Sequence, residues 1–205
     1  MTRRASERAL SAALQGPLAD RGFEEVGALD FFRPNDLGGY TLRFGTRLDQ
    51  ERRVRVSGTV GIVFLSLNRI VGLGDEVDER FPTVMMPIHL LHPDRSYREW
   101  TMAVPSDAPA VASEIVQEVD AFALPFLTAF GQIDAVKGAL QSPHPRDWFM
   151  LNPEQRLVVL AAIEQLAGQP DQAKELLRQG LLERTDELPK CRVALERALA
   201  RLDRP

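Results

Sequence analysis

Two histidines and a carboxylate lie close together in the sequence, at His89, His92 and Asp94. Imidazole nitrogens and carboxylate oxygens are zinc ligands, but a zinc site needs three or four ligands held in a fixed geometry. No other His or Cys lies nearby in the sequence, and Pro93 prevents a helix from continuing through the pair. We therefore interpret the segment as a strand end that enters a turn, with a metal site at these three residues as the alternative.

Arginines are scattered over most of the chain, but several fall in the first strands and their connections, and four of these are candidate binding residues: Arg43, Arg47, Arg53 and Arg55. If Arg43 and Arg55 share the outer face of a sheet, their guanidinium groups would form an anion-binding surface. Single-stranded nucleic acid would also need aromatic stacking residues there. Tyr40 and Phe44 alternate onto the opposite face from Arg43, so the preferred interpretation is the ordinary charged, solvated face of a one-sided sheet.

The sequence contains no recognised catalytic motif. A Walker loop, a Gly-x-Ser-x-Gly elbow and a His-Glu-x-x-His motif are all missing, and we expect no cofactor. Cys191 is the single cysteine, so no disulfide can form within the chain, which suits a reducing compartment. Its place on the apolar face of the last predicted helix indicates a structural role.

Charge and hydropathy narrow the class of protein further. The net charge is −4 without a long run of one sign, which favours neither nucleic acid nor an anionic membrane as a partner. The basic segment at residues 2–8 is not followed by an apolar stretch, so a signal peptide is not expected. Residues 60–67, the longest apolar stretch, are too few to span a bilayer. We predict a cytoplasmic protein.

Periodicity predicts the elements that would position these residues. Apolar residues recur at helical spacing over residues 6–21, with a kink or break at Gly16-Pro17 and a stop at Gly22. Alternation of apolar and polar residues predicts strands over residues 40–44 and 54–64, and residues 100–104 form a further one. Residues 83–91 are predicted to be extended, with Pro82 and Pro87 confining them to a sheet edge. Because the connections are short and polar, we expect a mainly antiparallel sheet of about four to five strands, in an α+β fold.

Helical patterns follow from Ser106 onward, and Pro125 should kink or divide the first of them. Asn152-Pro153-Glu154-Gln155 predicts a helix start, with Asn as the N-cap and Gln at the third helical position. The helix should stop at Gly168, and a second should begin at Pro170. With Ser142-Pro143-His144-Pro145 as a stiff linker, we predict an α+β domain at residues 1–141 and a C-terminal helical subdomain packed on it at residues 142–205.

Two stretches resemble known families. Arg21-Gly22-Phe23, Phe31-Phe32-Arg33 and Ala123-Leu124-Pro125-Phe126-Leu127 are similar to a small bacterial family that is known only as a domain of unknown function. That resemblance covers residues 5–140 and implies an N-terminal helix, a meandering sheet and C-terminal helices, without catalytic residues. Separately, Leu160, Ala161, Ala173 and Leu177 resemble the packing positions of a single tetratricopeptide-like helical hairpin.

Two functions remain open on this basis. The preferred hypothesis is a non-catalytic cytoplasmic binding or protein-interaction protein, for example of the immunity type that neutralises a toxin, with another protein as its partner. The apolar face of the C-terminal helices would also suit a homodimer. The alternative is an enzyme or small-ligand-binding protein with a cleft near His89, His92 and Asp94, lined by the nearby arginines.

Overall fold

The computed structural model describes residues 2–71, 80–144, 149–182 and 189–202. The chain divides into two compact units: Met1–Ile62 with Met85–Ala129, and Val63–Val84 with Phe130–Pro205. We call them the sheet unit and the helical unit. The predicted division at residues 141 and 142 stays a prediction, and Pro145 of the predicted linker lies outside the described residues.

The strands are β1 (Glu24–Gly27), β2 (Asp30–Asn35), β3 (Gly38–Leu48), β4 (Val54–Phe64), β5 (Val84–Pro87) and β6 (Trp100–Met102). The α-helices are α1 (Arg3–Ala19), α2 (Leu65–Val71), α3 (Ala108–Glu118), α4 (Leu124–Phe130), α5 (Ile133–Gln141), α6 (Pro153–Leu166), α7 (Pro170–Leu182) and α8 (Pro189–Leu202). The predicted α+β fold with an N-terminal helix, an antiparallel sheet and C-terminal helices is confirmed. Among the described residues no single helix is long and apolar enough to cross a membrane. By length and composition alone, one bent pair of helical segments meets that criterion: Pro105–Phe130 with Ile133–Gln141.

Helix α1 covers the core of the sheet unit with residues spaced one turn apart. Leu10, Leu14 and Leu18 are completely buried, and each removes enough apolar surface from water to contribute about 2 kcal/mol. A kink or break was predicted at Pro17, but the helix continues through it to Ala19, and Pro17, in the last turn, removes one intrahelical hydrogen bond. As predicted, Gly22 follows the helix with a φ of +79°, a conformation that favours glycine.

The sheet has the order β1-β2-β3-β4-β5, and β6 also pairs with β4. The pairings of β1 with β2, β2 with β3, and β4 with β6 are antiparallel. Strand β4 alternates between buried and half-buried residues over its first seven positions, as predicted. In its register with β6, Arg55 lies opposite Thr101, and Val56 lies opposite Trp100. Over the first seven positions of β4, the buried valines therefore lie on one face and Arg55 lies on the other.

The segment after β4 differs from the prediction in two places. Leu65–Val71 forms α2, which the sequence did not reveal because no turn signal separates it from the apolar end of β4. Residues 83–91 were predicted to be extended, but β5 ends at Pro87 and a 3₁₀ helix follows at Ile88–Leu91. The prolines before and after that turn restrict the backbone without specifying which tight conformation lies between them.

Pro125 divides the next helical segment, as predicted, but the division takes a specific form. Helix α3 passes into a π-helical turn at Val119–Ala123, and α4 follows directly. Since proline has no backbone N–H, a helix that contains it must re-pair the carbonyls of the preceding turn, and a π-helical turn is one way to do so.

The helical unit is built on α6, which packs against α2, α5, α7 and α8. The predicted cap is present: the Gln155 backbone N–H donates to Asn152 Oδ1 over 2.8 Å, and the Asn152 N–H donates to Gln155 Oε1 over 3.1 Å. Gly168 follows α6 with a φ of +72°, as the predicted stop requires. Ala161, Ala173 and Leu177 are buried together in the core of this unit, while the tetratricopeptide-like assignment stays a prediction.

Candidate functional site

A cleft of about 670 Å³ opens in the sheet unit, a volume typical of small-molecule sites. Its residues come from the ends of β3 and β4, from the chain between the 3₁₀ helix and β6, and from α3. They are Arg47, Asp49, Arg55, Gly58, Ile88, His89, His92, Tyr97, Arg98, Glu99, Trp100, Glu114 and Glu118.

Both predicted histidines line this cleft. His89 lies within the 3₁₀ helix and His92 directly after it, and three residues make one turn of such a helix. The His92 side chain is only 7 % exposed, and its Nε2 is hydrogen-bonded to Oε2 of Glu118. Its ring also packs on Phe122, with the ring centroids 3.9 Å apart. The alternative cleft hypothesis therefore named two residues that the fold brings together.

His89 has a different environment. It makes no hydrogen bond with the described residues, and the edge of its ring meets Tyr97, with 5.0 Å between the centroids. Burial lowers the pKa of His89, and its electrostatic interaction with His92 lowers it further, against an opposing effect of Glu99. The His89 imidazole is consequently neutral at pH 7 and offers the cleft one donor and one acceptor.

The π-helical turn after α3 places two residues of the site. Glu118 is the last residue of α3, and Phe122 belongs to the π-helical turn itself. Both contact His92, one through its carboxylate and the other through its ring. Insertions of this kind in a helix are frequent at functional sites, because they shift side chains that a regular helix would place elsewhere.

Arg47 and Glu99 form a bidentate pair at the cleft. Arg47 Nε donates to Glu99 Oε1 over 3.2 Å, and Nη2 donates to Oε2 over 2.8 Å. The Glu99 side chain is 8 % exposed, whereas that of Arg47 is 59 % exposed. Burial raises the pKa of Glu99, but hydrogen bonds from Arg47 and Tyr97 outweigh it, so that the net shift is downward. Glu99 is thus ionised, and both of its carboxylate oxygens already accept hydrogen bonds from Arg47.

Asp49 organises two more arginines. Its Oδ1 accepts the Arg53 backbone N–H over 2.9 Å, and its Oδ2 lies 3.0 Å from the Nε of both Arg53 and Arg55. Burial raises the pKa of Asp49, but the hydrogen bonds from Arg53 and Arg55 outweigh it and lower the pKa to about 2. Arg55 also donates from Nη1 to Thr101 Oγ1 over 2.7 Å, which fixes its guanidinium group beside β6.

Gly58 of β4 leaves the space that the cleft occupies. A Cβ atom there would lie 2.9 Å from Ile88 Cδ1 and 3.1 Å from the Phe44 ring. Any larger residue would have to displace one of these two buried side chains. The glycine therefore permits the 3₁₀ helix and its histidines to approach the sheet closely.

The other predicted residues lie outside the cleft. Asp94 accepts from Arg98 Nη2 over 2.8 Å and from the Ser96 backbone and hydroxyl, and the Ser96 and Arg98 hydrogen bonds lower its pKa to about 2. Arg43 lies 4.0 Å from Asp30, and Arg53 is paired with Asp49. Among the described residues no group of three or more His, Cys, Asp or Glu side chains is placed to hold a metal ion.

Sequence reasoning missed the acidic wall of the cleft. Glu114 and Glu118 lie four residues apart on α3, so they share one helical face. A signal for them exists in the sequence: no Lys or Arg occurs between Arg98 and Lys137, although several acidic residues do. A helix with unbalanced carboxylates at this spacing is destabilised by like-charge repulsion, which gives a reason to look for a compensating role.

Comparison with known proteins gave no match: no family model, no curated protein and no solved structure is similar to the chain at a significant level. The two resemblances noted from the sequence stay predictions. The candidate site therefore has to be interpreted from its own chemistry.

Proposed function

We propose that the sheet unit binds a small polar molecule in the cleft between α3, the 3₁₀ helix and the ends of β3 and β4. The observation that carries the proposal is the convergence of His89, His92 and Glu114 on one space of about 670 Å³. His89 and Glu114 have no hydrogen-bonding partner among the described residues, so both retain capacity for a ligand. Sites for small molecules typically combine a concave shape with a few convergent polar groups of this kind.

Several side chains that line the cleft are held in fixed orientations by neighbouring residues, which favours a ligand-binding cleft over an ordinary solvent-filled groove. Glu118 fixes His92, Glu99 fixes Arg47, and Asp49 fixes Arg55. A site whose side chains are already oriented loses little conformational entropy when a ligand arrives. The expectations of a protein partner, of a homodimer and of cytoplasmic location stay predictions beside this proposal.

Nuclear magnetic resonance of the two tryptophan indole N–H groups tests the proposal. A mixture of single-ring cationic, neutral and anionic compounds would be titrated into the labelled chain, and the Trp100 signal would be assigned with Trp100→Phe. We expect at least one compound to shift this signal in a saturable manner. The same compound should fail to do so in His89→Trp, in which a larger ring fills part of the cleft.

His144→Trp is the matched control, because His144 is exposed and does not line the cleft. Binding should persist in that variant. If no compound shifts the Trp100 signal, or if the shift survives unchanged in His89→Trp, the cleft is not a ligand site.

A further inference from the structure

The charges of the cleft do not balance. It is lined by three arginines, and each already has a carboxylate partner: Arg47 with Glu99 at 2.8 Å, Arg55 with Asp49 at 3.0 Å, and Arg98 with Asp94 at 2.8 Å. Arg53, which shares Asp49 with Arg55, is matched by a second carboxylate, that of Glu51 at 2.9 Å. The positive charge around the cleft is therefore neutralised within the protein.

The carboxylates of α3 are not matched in the same way. Glu118 is hydrogen-bonded to His92 rather than to an arginine or lysine. Glu114, one turn earlier, is exposed at the cleft and has neither an ion pair nor a hydrogen bond with the described residues. The one cleft carboxylate without a partner among the described residues is thus that of Glu114.

Aromatic rings line the same space. Trp100 is half-buried and Tyr97 is 67 % exposed, and both line the cleft that Glu114 lines. Helix α3 packs against β6, the strand that carries Trp100, so the acidic wall and this indole belong to neighbouring elements. The faces of indole and phenol rings attract cations. Neutral His89 adds a ring without adding a repelling charge.

We infer that the cleft is a site for an organic cation, an amine or quaternary ammonium group whose charge meets Glu114 and whose apolar substituents meet Trp100 and Tyr97. The inference rests on the function proposed above and specifies its ligand class. An anion would instead meet arginines that are already paired and an uncompensated carboxylate. A neutral molecule would gain no Coulombic attraction from Glu114.

Three probes of similar size separate these classes: benzyltrimethylammonium, benzyl alcohol and benzenesulfonate. We expect the cation to shift the Trp100 indole signal with at least tenfold higher affinity than either of the others. Because the interaction is partly exposed, its affinity should fall as the salt concentration rises. Glu114→Gln should weaken binding of the cation about threefold, since Glu114 is exposed, and leave that of benzyl alcohol unchanged.

Glu24→Gln provides the matched control, since Glu24 is an exposed carboxylate of the same unit that does not line the cleft. It should leave the affinity for the cation unchanged, and thermal melting would verify that both variants are folded. Stronger binding of benzyl alcohol or benzenesulfonate at Trp100 would overturn the cation site and leave the proposed function standing. Binding of none of the three, nor of any compound in the wider mixture, would remove both.

Discussion

The sheet unit and the helical unit treat their polar side chains differently. In the helical unit, Glu164 is 3 % exposed and lies 2.9 Å from Lys137. Thr83 is buried there too: its Oγ1 accepts the Phe64 N–H over 2.9 Å and donates to Asn68 over 2.7 Å. In the sheet unit, Glu114 and His89 face a cleft and make no hydrogen bond with the described residues.

This difference separates structural polar groups from functional ones. A buried polar group without a partner costs about 1–3 kcal/mol, so most buried polar groups are paired internally. Ser6 Oγ in the sheet unit and Gln165 Oε1 in the helical unit are exceptions. Groups that face a water-filled cleft carry no such cost and can stay unpaired until a ligand arrives. The unpaired set, rather than the more numerous ion pairs, therefore points to the site.

Breaking the buried pair of the helical unit should have the largest effect. Lys137→Met leaves Glu164 buried without a cation, and we expect the free energy of unfolding to fall by about 3 kcal/mol. The double variant Lys137→Met/Glu164→Leu should recover most of this loss, because it also removes the buried charge. Urea denaturation measures both values.

An exposed ion pair supplies the control. Glu51 is 69 % exposed beside Arg53, and Glu51→Gln should change the free energy of unfolding by less than about 0.5 kcal/mol. If Lys137→Met costs no more than Glu51→Gln, the buried pair does not stabilise the helical unit and the comparison between the two units loses its basis.

A smaller effect is expected at the floor of the cleft. In Gly58→Ala the new Cβ would lie 2.9 Å from Ile88 Cδ1, so the buried Ile88 side chain must shift, at a cost of about 1 kcal/mol. Gly138→Ala is the matched control: nothing lies within 4 Å of its Cβ position in α5, and alanine there should stabilise the helix by up to about 1 kcal/mol. Equal thermal melting shifts in the two variants would show that Gly58 is not needed for close approach.

Local patterns predicted much of the fold. Strand β4 followed from alternation, and the start of α6 followed from a capping box whose two hydrogen bonds lie within four residues. Helix α2 and the 3₁₀ helix were missed because nothing local separates them from the extended segments that precede them. Such boundaries depend on tertiary packing, which a single sequence does not display.

The candidate site was predictable only in part, for the same reason. His89 and His92 are close in sequence, so their shared cleft could be anticipated. Glu118 lies 26 residues beyond His92, and Asp49 joins the same cleft from the end of β3. A local pattern cannot pair groups that meet only when α3 and the sheet have packed.

The smallest effect concerns the protonation of His89, and it distinguishes a group that faces the cleft from one that is paired. Because burial and the electrostatic interaction with His92 lower the pKa of His89, the unfolded chain binds this proton more tightly than the folded chain does. Stability should therefore rise with pH from the lowered pKa of His89 up to the ordinary histidine value, and stay constant above it.

His89→Gln should remove this pH dependence of stability, and Glu99→Gln should lower the pKa of His89 further, since Glu99 opposes the shift. Histidine ring signals followed by nuclear magnetic resonance against pH measure the midpoint directly, and a midpoint above the ordinary value would mean that His89 is held as a charged partner and not left neutral for a ligand.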